Sequence, residues 1–193
     1  QLTVQGHSTQ TSDIFLAEKS DGTDLLNVTN TAGTKIRGTT TNDSAATGFV
    51  GETVTVTVES SSPNGLVTNT AESVSATTLD MTAGQWLVYG NIVFVGDTGT
   101  AYTSFDVSLS DTTNALQSGG EGIGIGSAAT GKIRLQKAYS SQVLSTGTYN
   151  FSIPPYTVKV ANGATISLFT VVRSVFTVST MAAYGTVQAL RIR

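Results

Sequence analysis

The chain has 193 residues, of which 12% are Asp, Glu, Lys or Arg, and its formal net charge is −3. Affinity for nucleic acid depends on clustered Lys and Arg, so this composition argues against a DNA- or RNA-binding protein. The sequence has no cysteine, which excludes disulfides, thiol nucleophiles and cysteine-ligated metal sites. It also lacks an apolar run of about 18 residues, so we expect no membrane insertion. The length predicts one main domain with a small appendage.

Residues 1–41 differ from the rest of the chain because their apolar residues come in short clusters between turn formers such as Asp21-Gly22 and Ala32-Gly33. This spacing predicts a series of very short strands. A segment so poor in apolar residues lacks a core of its own, so we expect it to stack against identical copies or against the following domain. The clusters lie at residues 2–4, 13–17, 24–28 and 34–37.

Residues 38–48 are small and polar and predict a junction, after which strand patterns recur to the end of the chain. In residues 53–59, Val alternates with Thr, which places Val54, Val56 and Val58 on one face of a half-buried strand. Nine or ten such strands, rich in Val, Ile, Thr, Phe and Tyr, predict an all-β antiparallel sandwich, and eight long strands in two sheets would make a jelly roll. The other predicted strands are residues 74–79, 85–95, 102–109, 132–137, 149–153, 156–160, 168–178 and 184–193.

Two features interrupt this pattern. Pro154 and Pro155 lack a donor N–H, so we expect them at a sheet edge or corner. Residues 119–127 are rich in glycine and predict a mobile loop. The glycines do not form a phosphate cradle, because Gly131-Lys132-Ile133 opens a strand where a P-loop needs a helix.

The order of these segments resembles the distal parts of tailed-phage fibres and tail-needle knobs. The resemblance is carried by the short strands of residues 1–41, by Gly-Thr-Thr-Thr-Asn-Asp-Ser-Ala-Ala-Thr-Gly-Phe-Val-Gly-Glu at 38–52, by Leu-Asp-Met-Thr-Ala-Gly-Gln-Trp-Leu-Val at 79–88 and by Tyr-Gly-Thr-Val-Gln-Ala-Leu-Arg-Ile at 184–192. It implies a homotrimer in which residues 1–41 end an intertwined shaft. Residues 42–193 would form a jelly-roll head similar to tumour-necrosis-factor and C1q heads. No family-defined binding residue carries over.

The function that this resemblance implies is non-enzymatic recognition of a host cell-surface saccharide or outer-membrane protein, at the tip of a virion tail appendage assembled in the bacterial cytoplasm. The internal-looking start at Gln1 favours a C-terminal piece of a longer fibre. Three alternatives remain open. The head is a purely structural trimerisation cap or decoration knob, a hydrolase with two facing carboxylates, or a eukaryotic signalling ligand of the tumour-necrosis-factor type.

His7 is the only histidine, so a catalytic triad or a metal site on a threefold axis would depend on this residue alone. A solvated loop histidine is the simpler interpretation, and we expect no catalytic residue, metal or cofactor. Tyr102 and Tyr139 each offer a ring face and a hydroxyl to a sugar, and Glu121 lies in the glycine-rich loop, which suits ligand binding.

Arg173, Trp86 and Asp106 lie within predicted strands. Arg173 shares a strand face with apolar residues, so we expect a structural or inter-subunit salt bridge there. The sole tryptophan, Trp86, falls in phase with apolar neighbours and predicts core packing. Asp106 lies between Phe105 and Val107, and alternation predicts that it faces outward.

Overall fold

A computed structural model describes residues 11–18, 20–22, 24–28, 34–36, 44–117, 124–125, 132–143, 147–177 and 180–193. His7 and Glu121 lie outside these residues. The chain divides into two compact units, Gln1–Asp43 and Ser44–Arg193. Across the described residues, no helix is long and apolar enough to cross a membrane.

The described residues form twelve strands, and the long ones are rich in β-branched and aromatic residues, which fit a pleated surface. The strands are β1 (Phe15–Glu18), β2 (Asp24–Val28), β3 (Thr34–Ile36), β4 (Thr53–Val58), β5 (Asn64–Leu66), β6 (Glu72–Ser73), β7 (Leu79–Gly96), β8 (Ala101–Ser110), β9 (Gly124–Ile125), β10 (Ile133–Val143), β11 (Thr148–Thr177) and β12 (Met181–Arg191).

The first unit contains a three-stranded antiparallel sheet in the order β1-β2-β3. Three of the four short strands predicted in residues 1–41 are therefore present, and residues 2–4 lie outside the described residues. Phe15 and Leu16 are 42% and 43% exposed, so this sheet leaves large apolar side chains uncovered. The trimeric shaft itself stays a prediction.

The second unit is all-β with antiparallel pairing throughout its described strands, as predicted, and is consistent with a β-sandwich or jelly roll. The strand order is β4-β12-β7-β11-β8-β10-β9, with β5 beside β12 and β6 beside β11. The 30-residue β11 joins two sheets, because residues 148–168 pair with β7 and residues 169–177 pair with β8. The glycine-rich patch is not wholly loop, since β9 lies within it and pairs with β10.

Among the described strands, Pro154 and Pro155 lie where β11 is paired only with β7, and the register shifts between Ile153 and Tyr156. The prediction of a sheet edge is therefore confirmed, because missing donors at a bulge on an edge strand leave no ladder bond unmade. The three strands predicted at 149–153, 156–160 and 168–178 are one strand that bends instead of ending.

The strand predicted at residues 74–79 is wrong for most of its length. Only Leu79 lies in a strand, at the start of β7. The Ser75 hydroxyl bonds the Thr77 hydroxyl at 2.7 Å and accepts from the Thr77 backbone N–H at 3.1 Å. Such local side-chain bonds give the backbone an alternative to the sheet ladder.

The core lies on one face of each sheet. Trp86, Val88, Ile92 and Phe94 on β7 are at most 1% exposed, which confirms the predicted core role of Trp86 and its in-phase neighbours. Alternation also holds on β4, where Val56 is buried while Thr55 and Thr57 are exposed.

A charged cluster closes the core at the C-terminal end of the chain. Arg191, 3% exposed at its side chain, donates from Nε to the Glu52 carboxylate at 2.8 Å. Its guanidinium carbon lies 4.3 Å from the centre of the Trp86 ring, and its remaining nitrogens donate to the Ala83 carbonyl and the Thr82 hydroxyl. A buried arginine needs such full pairing.

Gly84 makes room for this cluster. A Cβ at Gly84 would lie 2.1 Å from Nη1 of Arg191, and the residue has φ +145°, which disfavours any side chain. The pairing of Arg191 with Trp86 in the β12–β7 ladder also brings together two of the segments that carry the phage-fibre resemblance, residues 79–88 and 184–192.

Candidate functional site

Three strands place aromatic rings at one end of the core. Tyr102 lies at the start of β8, Tyr139 in β10 and Tyr149 at the start of β11. Lys137, two residues before Tyr139, pairs in register with Phe105 of β8 and so lies on the same strand face as Tyr139. We call Tyr102, Lys137, Tyr139 and Tyr149 the tyrosine cluster.

The rings of the tyrosine cluster pack against one another and against the core. Tyr149 stacks on Phe105 with ring centres 4.6 Å apart and an interplanar angle of 10°. Tyr139 meets Tyr102 edge-to-face at 5.3 Å and Tyr149 edge-to-face at 5.8 Å. These are the favourable geometries for aromatic pairs, and they fix the rings in one arrangement.

The hydroxyls of the cluster meet near a cation. The Tyr139 and Tyr149 hydroxyls are hydrogen-bonded to each other. The Lys137 ammonium lies 5.4 Å from the centre of the Tyr139 ring and 5.6 Å from that of Tyr149. Hydrogen bonding to Tyr149 and then to Tyr139 raises the pKa of Lys137 above its ordinary value, so the ammonium stays charged at neutral pH.

Burial, together with the hydrogen bond to Tyr149, raises the pKa of Tyr139 to about 12. Tyr139 therefore keeps its proton at neutral pH. Tyr139 and Tyr149 are half-buried and Lys137 is exposed. The cluster thus combines two half-buried tyrosines, whose hydroxyls are bonded to each other, with an exposed ammonium, which suits a ligand that carries both polar and apolar faces.

The predicted ligand residues Tyr102, Tyr139 and Glu121 differ in how the structure exposes or describes them. Tyr139 is half-buried. Tyr102 is 8% exposed, so the expected free ring face is covered by Phe105 and Tyr139. Tyr149 and Lys137 were missed, although Tyr149 opens a predicted strand just as Tyr102 does. Glu121 lies outside the described residues, and its role stays a prediction.

Arg173 lies on β11 directly opposite Asp106 of β8. It donates from Nε and Nη2 to Oδ2 of Asp106 at 3.1 and 3.0 Å, while Arg134 of β10 donates to Oδ1 at 3.0 and 2.8 Å. The expected salt bridge of Arg173 is therefore present within one chain. Its proposed contact with another subunit stays a prediction.

The prediction that Asp106 faces outward holds for its strand face, but the side chain is not exposed to solvent. Asp106 does alternate with the core residues Phe105 and Val107, yet it is 0% exposed. Arginines on the two flanking strands cover it from both sides. Sequence alternation gives the face of a residue but not what lies over that face.

A separate cavity of about 10 Å³ lies between the sheets, room for one water molecule at most. Thr170 contributes to its wall, and the Thr170 hydroxyl is the one buried side-chain polar atom without a hydrogen-bond partner among the described residues. Within the same residues, no three His, Asp or Glu side chains are grouped to hold a metal ion. The cavity is lined by Val56, Val58, Val74, Ser75, Ile92, Thr170, Gly185 and Val187.

Comparison with known proteins shows no family. No family model matches the chain, and no curated protein matches it. Among solved structures, a chain in the structure of infectious bursal disease virus, Gx strain, aligns with a TM-score of 0.42 and 8% identity, over 73% of this chain and 32% of that one. This chain thus covers less than half of that neighbour. A TM-score this low is not enough to assign a fold or a function.

Proposed function

We propose that this protein is the receptor-binding tip of a phage tail fibre or needle and that it binds a host cell-surface saccharide through the tyrosine cluster without cleaving it. The observation that carries the proposal is the placement of the Lys137 ammonium beside the bonded hydroxyls of Tyr139 and Tyr149. The resemblance of residues 38–52, 79–88 and 184–192 to phage fibre heads supports the biological setting.

The chemistry of the cluster favours a saccharide over an apolar ligand. A sugar presents axial C–H groups that pack on aromatic rings and hydroxyls that both donate and accept hydrogen bonds. Tyrosine supplies a ring and a donor–acceptor hydroxyl in one stiff side chain, so little conformational entropy is lost on binding. The Lys137 ammonium adds three hydrogen-bond donors and no acceptor.

The test is a titration of the intact chain with cell-surface polysaccharide fragments from candidate hosts, followed by calorimetry. Tyr139→Phe, Tyr149→Phe and Lys137→Met should each weaken binding about fivefold to a hundredfold, since each removes one or two hydrogen bonds. Tyr184→Phe is the matched control, because Tyr184 is a half-buried tyrosine on β12. Equal affinities for all four variants would contradict the proposal.

A structural role as a trimerisation or capping knob is the second candidate. Phe49 and Val50, near the start of the second unit, are 67% and 69% exposed, and exposed large apolar side chains mark protein contacts. Light scattering of the intact chain and of residues 44–193 measures the assembly. A trimer that binds none of the polysaccharides would favour the cap, whereas a monomer would contradict both the cap and the trimeric tip.

A further inference from the structure

A second site lies on the outer face of the sheet formed by β8, β10 and the end of β11, on the side opposite the core. Its centre is Asp106, flanked by Arg134 and Arg173. We call these three residues the arginine pair with its aspartate. Asp106 is 0% exposed, and the arginine side chains are 20% and 25% exposed.

The charges of this group do not balance. Asp106 carries one negative charge and the two guanidinium groups carry two positive charges, which leaves a net charge of +1. The neighbours on the same face of β8 are Ser104 and Ser108, which alternate with the core residues. The nearest described acid in sequence, Asp111, is engaged by Lys132. A half-buried positive charge is normally compensated.

Each of the two arginines keeps N–H donors that do not bond Asp106. A guanidinium has five N–H groups, and Asp106 accepts from Nε and Nη2 of each arginine. In the part of the chain that the structure describes, no group accepts from either Nη1. The Asp106 carboxylate holds both guanidinium groups in fixed orientations, so their remaining donors are preorganised.

We propose that Arg134 and Arg173 form an oxyanion-binding site that takes a carboxylate, sulfate or phosphate group. The planar fork of arginine matches these groups, and its charge-assisted hydrogen bonds are about twice as strong as neutral ones. Ser104 and Ser108 beside Asp106 are buried, so an anion would reach the site at the exposed parts of the two guanidinium groups. This site lies on the opposite sheet face from the tyrosine cluster, so it does not depend on the function proposed there.

The experiment follows the arginine Nε–H signals of the intact chain by NMR during titration with sodium glucuronate and with sodium sulfate. Chloride keeps the ionic strength constant, and glucose is the neutral match of glucuronate. We expect saturable shifts of the Arg134 and Arg173 signals with the two anions and none with glucose. Shifts that fail to saturate, or equal shifts with glucose, would overturn the site.

Variants separate this site from general anion effects. Arg173→Gln should weaken binding about tenfold or more, because it removes a charged donor. Arg173→Lys keeps the charge but loses the fork, so we expect an intermediate affinity, and it is the fallback if the first variant does not fold. Lys159→Met, at an exposed lysine of β11 outside both proposed sites, is the control and should leave anion binding unchanged. Equal binding by the wild type and both Arg173 variants would refute the assignment.

Discussion

Asp106→Asn is the substitution for which the structure gives the clearest magnitude. The carboxylate accepts four N–H bonds of 2.8 to 3.1 Å from two arginines. An asparagine keeps one acceptor oxygen, and its amide N–H₂ faces the N–H groups of the second arginine. Breaking a buried ion pair by removal of one partner costs about 3–5 kcal/mol. Both arginines are partly exposed and regain water, so we expect a loss of about 3 kcal/mol.

The assay is urea unfolding followed by the fluorescence of Trp86. This residue is the sole tryptophan and is 0% exposed in the core of the second unit, so its signal reports that unit alone. With a slope of about 2 kcal/mol per molar urea, the midpoint should fall by about 1.5 M. Wild type and variant are compared at equal protein concentration, because assembly would couple stability to concentration.

Asp111→Asn is the matched control for this measurement. Asp111 forms an ion pair with Lys132 just after β8 ends, but its side chain is 49% exposed. Exposed pairs contribute about 0–1 kcal/mol, so the control should shift the midpoint by less than about 0.5 M. If Asp106→Asn shifts the midpoint no more than Asp111→Asn does, the reasoning about the buried carboxylate is refuted.

Three further predictions concern single positions. Gly84→Ala should destabilise the second unit by about 2–5 kcal/mol in the same urea assay, since its Cβ would overlap Arg191 at positive φ, while Gly65→Ala, with nothing within 4 Å, should be near neutral. Thr170→Val should stabilise it by about 1 kcal/mol, because an unpaired buried hydroxyl is lost without a change of shape; a loss of stability would show that the hydroxyl is paired. In an absorbance titration at alkaline pH, Tyr139→Phe should remove one tyrosine that ionises near pH 12. The pKa of Tyr139 in the folded protein lies above its unfolded value of about 10. The stability that Tyr139 contributes is therefore complete below pH 10 and is lost as the pH rises towards 12. Tyr139→Phe should lose less stability than the wild type over that interval.

Most of the long strands of the second unit were predictable because alternation and β-branched residues act locally, whereas the short β5, β6 and β9 were not. Val56 on β4 and Trp86 on β7 are buried as their phase requires. The continuity of β11 was not predictable, since Pro154 and Pro155 usually end a strand, and only the edge position and the bulge let the strand pass through them. The pairing of Asp106 was also hidden, because Arg134 and Arg173 are 28 and 67 residues away in sequence.

The tyrosine cluster shows how a partly exposed polar surface continues a buried strand face without a change of strand. Ile133, Leu135, Lys137 and Tyr139 follow one another on the same face of β10. The first two are at most 5% exposed, whereas Lys137 is exposed and Tyr139 is half-buried, so the core ends between Leu135 and Lys137. A lysine in phase with buried residues is costly unless its ammonium reaches solvent or a polar partner, and here the Tyr139 and Tyr149 hydroxyls lie beside it. The exposed lysine is therefore a departure from the apolar pattern of this strand face. Such departures at the end of a packed face are where ligand-binding groups are expected.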